Sequence, residues 1–340
     1  MLSFVIPCYR SENTVGIVVE EILATVAARP EHELEIILVN DGSPDHTADA
    51  IKALAAKHPE VVAVDLSRNF GQHSALMAGF HQVRGDIVIC LDDDGQTPAC
   101  ECFKLIDKVI EGYDIVFAEY GERKQTAFRN LGSRFNAACN HFFFGQPREL
   151  KANSYFACRR FVMDSALQYP NPFPYVTGLL FQSVSRYCNV SIHHQERLEG
   201  KSGYSLKKLI SLWLNGITAF SIKPLRLASY LGWIAAAFGC LFALITIIRK
   251  IVNPEMQAGW ASTVALILFM GGLTIALIGI VGEYIGRIYL SINRYPQFVV
   301  REVVRGDAVQ AAGEVALQPD QSADRQPAAT ESSGDGSLTA

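Results

Sequence analysis

The chain has 340 residues, enough for two domains at most at roughly 100–200 residues each. Apolar residues make up 49% and charged residues 19%, which excludes a disordered chain and is richer in apolar side chains than a usual soluble enzyme. A net charge of −4 leaves no chain-wide basic field, so nucleic acid is not an expected partner.

Eight cysteines are present, with no C-x-x-C pair and no Cys/His spacing of a zinc site. Most sit among apolar residues, so they are expected to be reduced and to act as small core hydrophobes. The start, Met1 to Pro7, has no basic stretch and no cleavage site, and reads as a strand rather than a signal peptide.

The first part of the chain alternates between two periodicities. Apolar strands are predicted at Leu2–Pro7, Glu35–Val39, Val61–Leu66, Asp86–Leu91 and Asp114–Glu119. Helical spacing covers Val15–Ala28, Thr47–Lys57, His73–Gln82 and Cys100–Glu111. Such alternation implies βαβ units and an α/β fold with a mostly parallel sheet, whose ligands bind beyond the carboxyl ends of the strands. No G-x-G-x-x-G follows the first strand and no G-x-x-x-x-G-K-[ST] occurs, which weakens dehydrogenase and P-loop readings.

Two acidic clusters fall at predicted strand ends. Asn40-Asp41-Gly42-Ser43 follows the second strand; alone it would pass for a turn. Asp92-Asp93-Asp94-Gly95-Gln96 follows the fourth. Three adjacent carboxylates repel one another and raise each other's proton affinity unless a cation intervenes. Asp92 and Asp94 alternate on an extended chain and can face one side. Two carboxylates with the Gln96 amide oxygen suit a hard divalent cation, Mg²⁺ or Mn²⁺.

Further along, Leu206, Leu209, Ile210, Trp213, Leu214, Ile217 and Phe220 share one helical face, while Lys207 and Lys208 lie off it. An ordinary core helix has the same pattern. Its place just before a long apolar run favours a helix lying in the membrane interface over residues 205–226. Leu227–Ile248 and Ala258–Gly282 then run 22 and 25 residues without a charge. Each is long enough to cross a hydrocarbon core of about 30 Å, and a short polar link joins them into a transmembrane hairpin. Lys207, Lys208, Lys223 and Arg226 precede the hairpin and Arg287, Arg294, Arg301 and Arg305 follow it, against Arg249 and Lys250 in the link. That bias puts the first domain (1–204) and the C-terminal tail in the cytoplasm, with the chain multi-pass in the cytoplasmic membrane. Glu283 and Arg287 are spaced to pair along a helix, and Gly282-x-x-x-Gly286 leaves room for a homo-oligomer contact. Residues 283–305 read as a cytoplasmic juxtamembrane segment. Residues 306–340 lack aromatics and read as a disordered tail.

The ordered set Val5-Ile6-Pro7-Cys8-Tyr9, Val39-Asn40-Asp41-Gly42-Ser43 and Leu91-Asp92-Asp93-Asp94-Gly95-Gln96 resembles the GT-A fold of inverting family 2 glycosyltransferases. With Arg197, Gly200-Lys201-Ser202-Gly203-Tyr204 and the hairpin, the chain resembles the polyprenyl-phosphate glycosyltransferases over about residues 2–300. That group spans dolichol-phosphate mannose synthases, bactoprenol glucosyl transferases and the undecaprenyl-phosphate aminoarabinose transferase. Pro174–Gln182 and Trp213-Leu214-Asn215-Gly216 look most like the last.

The resemblance implies transfer of one sugar from a nucleotide sugar, UDP- or GDP-linked, to polyprenyl phosphate at the lipid bilayer. By the same likeness Pro7, Tyr9, Asp41, Asp92 and Asp93 would bind the nucleotide sugar, and Asp92, Asp94 and Gln96 the metal. Arg123, Arg129, Ser133, Arg197, Lys201 and Ser202 would hold the acceptor phosphate, with Asp92, Asp94 and Arg129 serving catalysis. Many relatives carry an acid where this chain reads Lys151-Ala152-Asn153-Ser154-Tyr155-Phe156. A phosphate monoester is largely ionised at pH 7, so the acceptor needs positioning more than a base. The alternatives are a membrane polysaccharide or glycolipid synthase of the same fold, which would need more spans and a Gln-x-x-Arg-Trp segment, and a degenerate scaffold.

Overall fold

The structure is a computed structural model that describes residues 1–120, 150–193, 222–252 and 259–307. Eight strands among them form one sheet in the order β7-β5-β6-β4-β1-β2-β3-β8. The strands are β1 (Leu2–Cys8), β2 (Leu34–Asn40), β3 (Val61–Leu66), β4 (Ile87–Cys90), β5 (Ile115–Tyr120), β6 (Phe156–Arg159), β7 (Tyr187–Ile192) and β8 (Val300–Arg305). The β1/β2, β2/β3, β1/β4 and β5/β7 pairs are parallel. β6 is antiparallel to β4 and β5, and β8 is antiparallel to β3.

The central strands are apolar at nearly every position because both faces of the sheet are covered. Helices α1 (Val15–Ala27), α2 (Thr47–Lys57) and α4 (Cys102–Glu111) pack on the face carrying Phe4, Ile6, Ile36 and Leu38. Helices α3 (Gln72–Phe80), α5 (Arg160–Leu167) and α6 (Val176–Gln182) cover Val5, Ile37, Val39 and Val88. Helix α1 follows from the spacing of Val15, Val18, Val19, Ile22 and Val26, a stripe that is wholly buried. The cysteines of the described residues are all free thiols, and Cys8, Cys90, Cys102 and Cys158 are buried.

Two long helices follow, α7 (Lys223–Val252) and α8 (Trp260–Ile292). Within them Lys223–Arg249 and Phe269–Ile292 are long and apolar enough to cross a membrane. Their apolar side chains are largely unburied, Trp233 and Ile275 among the most exposed. The last residues of the expected interfacial helix, Lys223 to Arg226, are instead the first turn of α7; residues 205–221 lie outside those described.

Helix α8 runs ten residues past the expected end of the second span and then stops sharply. Arg294 takes a left-handed conformation at φ 50, its amide donates to Ser291 O at 3.0 Å, and the Tyr295 amide donates to Leu290 O at 3.1 Å. That pair of bonds is a Schellman stop, and Pro296 cannot continue the helix. The chain turns back onto the domain. Gln297 Nε2 donates to Tyr169 O at 2.6 Å and Asn171 O at 2.9 Å, and Ser291 hydrogen-bonds Asn171.

β8 then joins the sheet beside β3. The segment expected to be a juxtamembrane linker is therefore the end of a helix plus an edge strand, and the sheet is not confined to the residues before the hairpin. Its charged residues explain the difference. Arg301 and Glu302 stand exposed, as suits an edge strand, and mask the strand signal. Because β8 pairs with β3, the chain that leaves α8 rejoins the sheet built by the residues before α7. Residues 308–340, the expected disordered tail, lie outside the described residues.

Candidate active site

After β1 the chain builds β2 and β3 to one side, then returns so that β4 pairs on the other. The order thus reverses between β1 and β4, the point where open α/β sheets hold ligands beyond their carboxyl ends. Asp93 bridges that gap. The Tyr9 amide, just past β1, donates to Asp93 Oδ2 at 2.9 Å.

The three adjacent acids divide their attention. Asp92 Oδ1 accepts from Gln72 Nε2 at 3.0 Å, and its Oδ2 accepts from the Ser154 hydroxyl. Asp94 Oδ1 accepts the Gln96 amide at 3.0 Å, which folds the loop into a tight turn with Gly95 at φ 71. Burial first, and then the charges of Asp92 and Asp94, push the Tyr120 phenol up; burial and then Asp93 raise the Cys8 thiol. Asp92 thus faces Gln72 and Ser154 while Asp93 faces the end of β1, a division set by the turn over Asp93 and Asp94 rather than by strand alternation.

Burial pushes the Asp92 carboxyl up to about 6, helped by Asp94 and Asp93 and opposed by the bonds from Ser154 and Gln72. Burial also raises Asp93, against the Tyr9 amide. A half-buried carboxylate crowded by two like charges is the electrostatic setting that a cation relieves. Asp92, Asp94 and the Gln96 side-chain oxygen fit a hard divalent ion in donor chemistry. No group of three His, Cys, Asp or Glu side chains poised for a metal exists among the described residues. An ion here would complete its shell with Gln96, water and phosphate oxygens.

A second cluster of bonds lies at the ends of β2 and β3, around Asp41. Asp41 is buried, and its two carboxylate oxygens accept the Phe70 amide at 2.7 Å and the Gly71 amide at 2.9 Å. Burial raises its proton affinity despite both bonds. Asn69 Nδ2 donates to Asp41 O at 3.1 Å. Asn40 Oδ1 accepts the Ser43 amide at 3.1 Å, and Ser43 Oγ accepts the Arg10 amide at 3.0 Å. Asp41 therefore shapes the loop that follows β3. Pro7 is partly exposed at the end of β1, and Tyr9 beyond it is open, with the Arg10 guanidinium 5.6 Å from its ring centre.

The structure gathers Pro7, Tyr9, Asp41, Asp92, Asp93, Asp94 and Gln96 at one edge of the sheet. Arg123, Arg129, Ser133, Arg197, Lys201 and Ser202 lie outside the described residues. Gln72 and Ser154 were not singled out by the sequence. Gln72 opens α3 and Ser154 lies in the loop before β6, and only the fold brings them to Asp92. Glu283 and Arg287 do pair, at 2.9 Å, near the end of α8.

Residues 3–167 match the glycosyl transferase family 2 model, and residues 223–288 match the GtrB C-terminal hairpin. The undecaprenyl-phosphate 4-deoxy-4-formamido-L-arabinose transferase of Yersinia enterocolitica is 36% identical over 318 residues, 92% of this chain and 97% of that protein. The protein of the same name from Serratia proteamaculans is 37% identical over 89% of this chain and 94% of its own length. Among solved structures, mannosyl-3-phosphoglycerate synthase from Rubrobacter xylanophilus is similar at TM-score 0.48 and 20% identity, over 67% of this chain and 74% of that one. With a family 2 domain, a matching membrane hairpin and relatives alike over nearly their whole length, the chain belongs to the polyprenyl-phosphate glycosyltransferases of glycosyl transferase family 2.

Proposed function

We propose that this enzyme moves a single sugar from a UDP- or GDP-linked donor to undecaprenyl or a related polyprenyl phosphate, with inversion, at the cytoplasmic face of the inner membrane. The observation that carries this reading is a shared edge. The acids sit beyond the carboxyl ends of β1 and β4, and α8 returns to the domain at Asn171 and at the carboxyl end of β3, where Val300 pairs with Leu66. On this reading the lipid phosphate of the acceptor would approach the acids along the edge to which α8 returns. The names of the relatives favour a 4-formamido-arabinose donor among the candidates.

The reaction is one in-line displacement. A lone pair of the acceptor phosphate oxygen forms the new bond to the anomeric carbon, and the donor diphosphate leaves with the electrons of the old one. The acceptor arrives ionised, so no protein base has to take a proton. A divalent cation held by Asp92, Asp94 and Gln96 would supply Lewis-acid charge for the departing diphosphate. Ser154 and Gln72 hold the Asp92 carboxylate in place for that task. Arg129, Arg197 and Lys201 are the cations assigned to the acceptor phosphate, and planar guanidinium forks suit it best. The excess of Lys and Arg flanking the hairpin supports the cytoplasmic side.

The test is turnover with the full chain in membranes, a panel of nucleotide sugars, a short-chain polyprenyl phosphate and Mg²⁺ or Mn²⁺. Transfer of one sugar from one donor, lost with chelator and in Asp92→Asn/Asp94→Asn, is expected. Transfer that survives the double change rejects the metal site. Absence of transfer from every donor favours the scaffold reading.

A further inference from the structure

Both loops that meet at Asp41 are tied to chain that comes after the two long helices. The Ser67 amide donates to Val299 O at 2.9 Å, and Arg301 donates through Nη2 to Ser67 O at 3.0 Å. Arg68 donates to the Tyr295 hydroxyl at 3.2 Å and stacks over Phe70 at 4.5 Å. Arg301 also reaches Asp65 Oδ2 at 3.3 Å. Asp65 is buried, and its other oxygen accepts from Asn40 Nδ2 at 2.7 Å. From Asn40 the chain of bonds continues to Ser43 and Arg10.

The two loops also touch through their backbones. Gly42 stands at φ 58, and a Cβ there would lie 2.3 Å from Arg68 C and 2.4 Å from Asn69 N. Neither loop can shift without moving the other. A buried carboxylate is sensitive to loss of the guanidinium bonded to it, because its desolvation is then less well compensated.

We infer that Arg301, on the strand after the hairpin, is a positioning residue for donor nucleotide binding: through Asp65–Asn40 and Ser67 it sets the two loops, 40–43 and 67–71, that meet at Asp41. This rests on the reading of Asp41 and its two loops as part of the nucleotide site. Donor affinity is thereby linked to correct seating of the strand that leaves the membrane.

The experiment is calorimetric binding of UDP and of GDP, with Mg²⁺, to the detergent-solubilised full chain, alongside steady-state kinetics. Arg301→Ala should weaken binding of the nucleotide that the unaltered protein prefers about tenfold and raise the donor KM in parallel. The acceptor KM and kcat should stay within about twofold of the parent. Arg301→Lys keeps a cation beside Asp65 but not the fork that also reaches Ser67 O, and should restore only part of the affinity. Arg305→Ala, at the other end of β8 where Arg305 meets Gln82, should bind as the parent does. If Arg301→Ala does not fold, the isosteric Asp65→Asn carries the same expectation.

Parent-like affinity in Arg301→Ala, or an equal loss in Arg305→Ala, overturns the inference. Asp41→Asn separates the two layers. If it weakens binding while Arg301→Ala does not, only the inference fails. If neither changes binding, or the parent binds neither nucleotide, the Asp41 loops are not the nucleotide site and both fail.

Discussion

Ser154 donates its hydroxyl to Asp92 Oδ2, tying the loop before β6 to the first acid after β4. The bond favours the ionised carboxylate and fixes its direction. Ser154→Ala removes a charge-assisted bond at a half-buried acid, which is worth about 1.5–3 kcal/mol. It should lower kcat/KM about tenfold or more and weaken the apparent affinity for Mg²⁺ in the transfer assay. Ser154→Thr keeps the hydroxyl and should recover most of both. Unchanged metal dependence in Ser154→Ala would separate Asp92 from the metal.

Asp92 itself predicts an unusual dependence on pH. Its carboxyl sits at about 6 rather than 3.8, so the folded protein binds this proton more tightly than the unfolded chain does. The stability it contributes is full below about pH 4 and is lost as pH rises through about 6. Two units correspond to at most about 3 kcal/mol, less for solvent still reaching the group. Asp92→Asn should therefore melt higher than the parent at about pH 7.5 in metal-free buffer, by at most this amount, and match it near pH 4. Transfer should vanish in the same variant. A lower melting temperature at neutral pH would contradict the buried-charge reading.

Gly42 and Gly71 make a matched pair. Both have positive φ, 58 and 92, but a Cβ on Gly42 collides with the Arg68 backbone, whereas one on Gly71 meets nothing within 4 Å. Gly71→Ala should cost only backbone strain, about 1–3 kcal/mol, because φ 92 with ψ 154 is a conformation that glycine alone takes readily. Gly42→Ala adds a clash between main chains and should cost about 2–4 kcal/mol, with loss of nucleotide binding. Equal melting temperatures for the two variants would mean that the loops are not in contact.

The sheet was legible where burial on both faces writes a run of apolar residues. The first five predicted strands fall within a residue or two of those observed, as do helices α1 to α4. The acids at the strand ends were legible for the same reason, since each closes such a run. β8 was hidden because an edge strand needs charge, and because its partner β3 lies more than 230 residues away. Arg301 and Arg305 read as topology signals when counted along the chain, yet one binds Asp65 and the other Gln82. Gln72 and Ser154 carry no pattern of their own; only the crossing of α3 and the β6 loop at Asp92 gives them a role.

Glu35 tests whether position on the sheet, rather than residue type, decides function. It is buried near the start of β2, at the edge opposite the cluster of aspartates. Its Oε1 accepts the Ser3 hydroxyl at 2.6 Å, the Arg84 amide at 2.5 Å and the Gly85 amide at 3.2 Å, while Arg84 Nε reaches Oε2 at 3.3 Å. These bonds close the turn that leads into β4 and leave no room for a substrate. Glu35→Gln keeps the shape but loses the charge that these donors face, which should cost about 2–4 kcal/mol of stability. Its kcat/KM, measured well below the lowered melting temperature, should stay within about twofold of the parent, because none of the bonds it loses reaches the carboxyl edge. A large fall in kcat/KM without a fall in melting temperature would show that the two edges are coupled through the sheet.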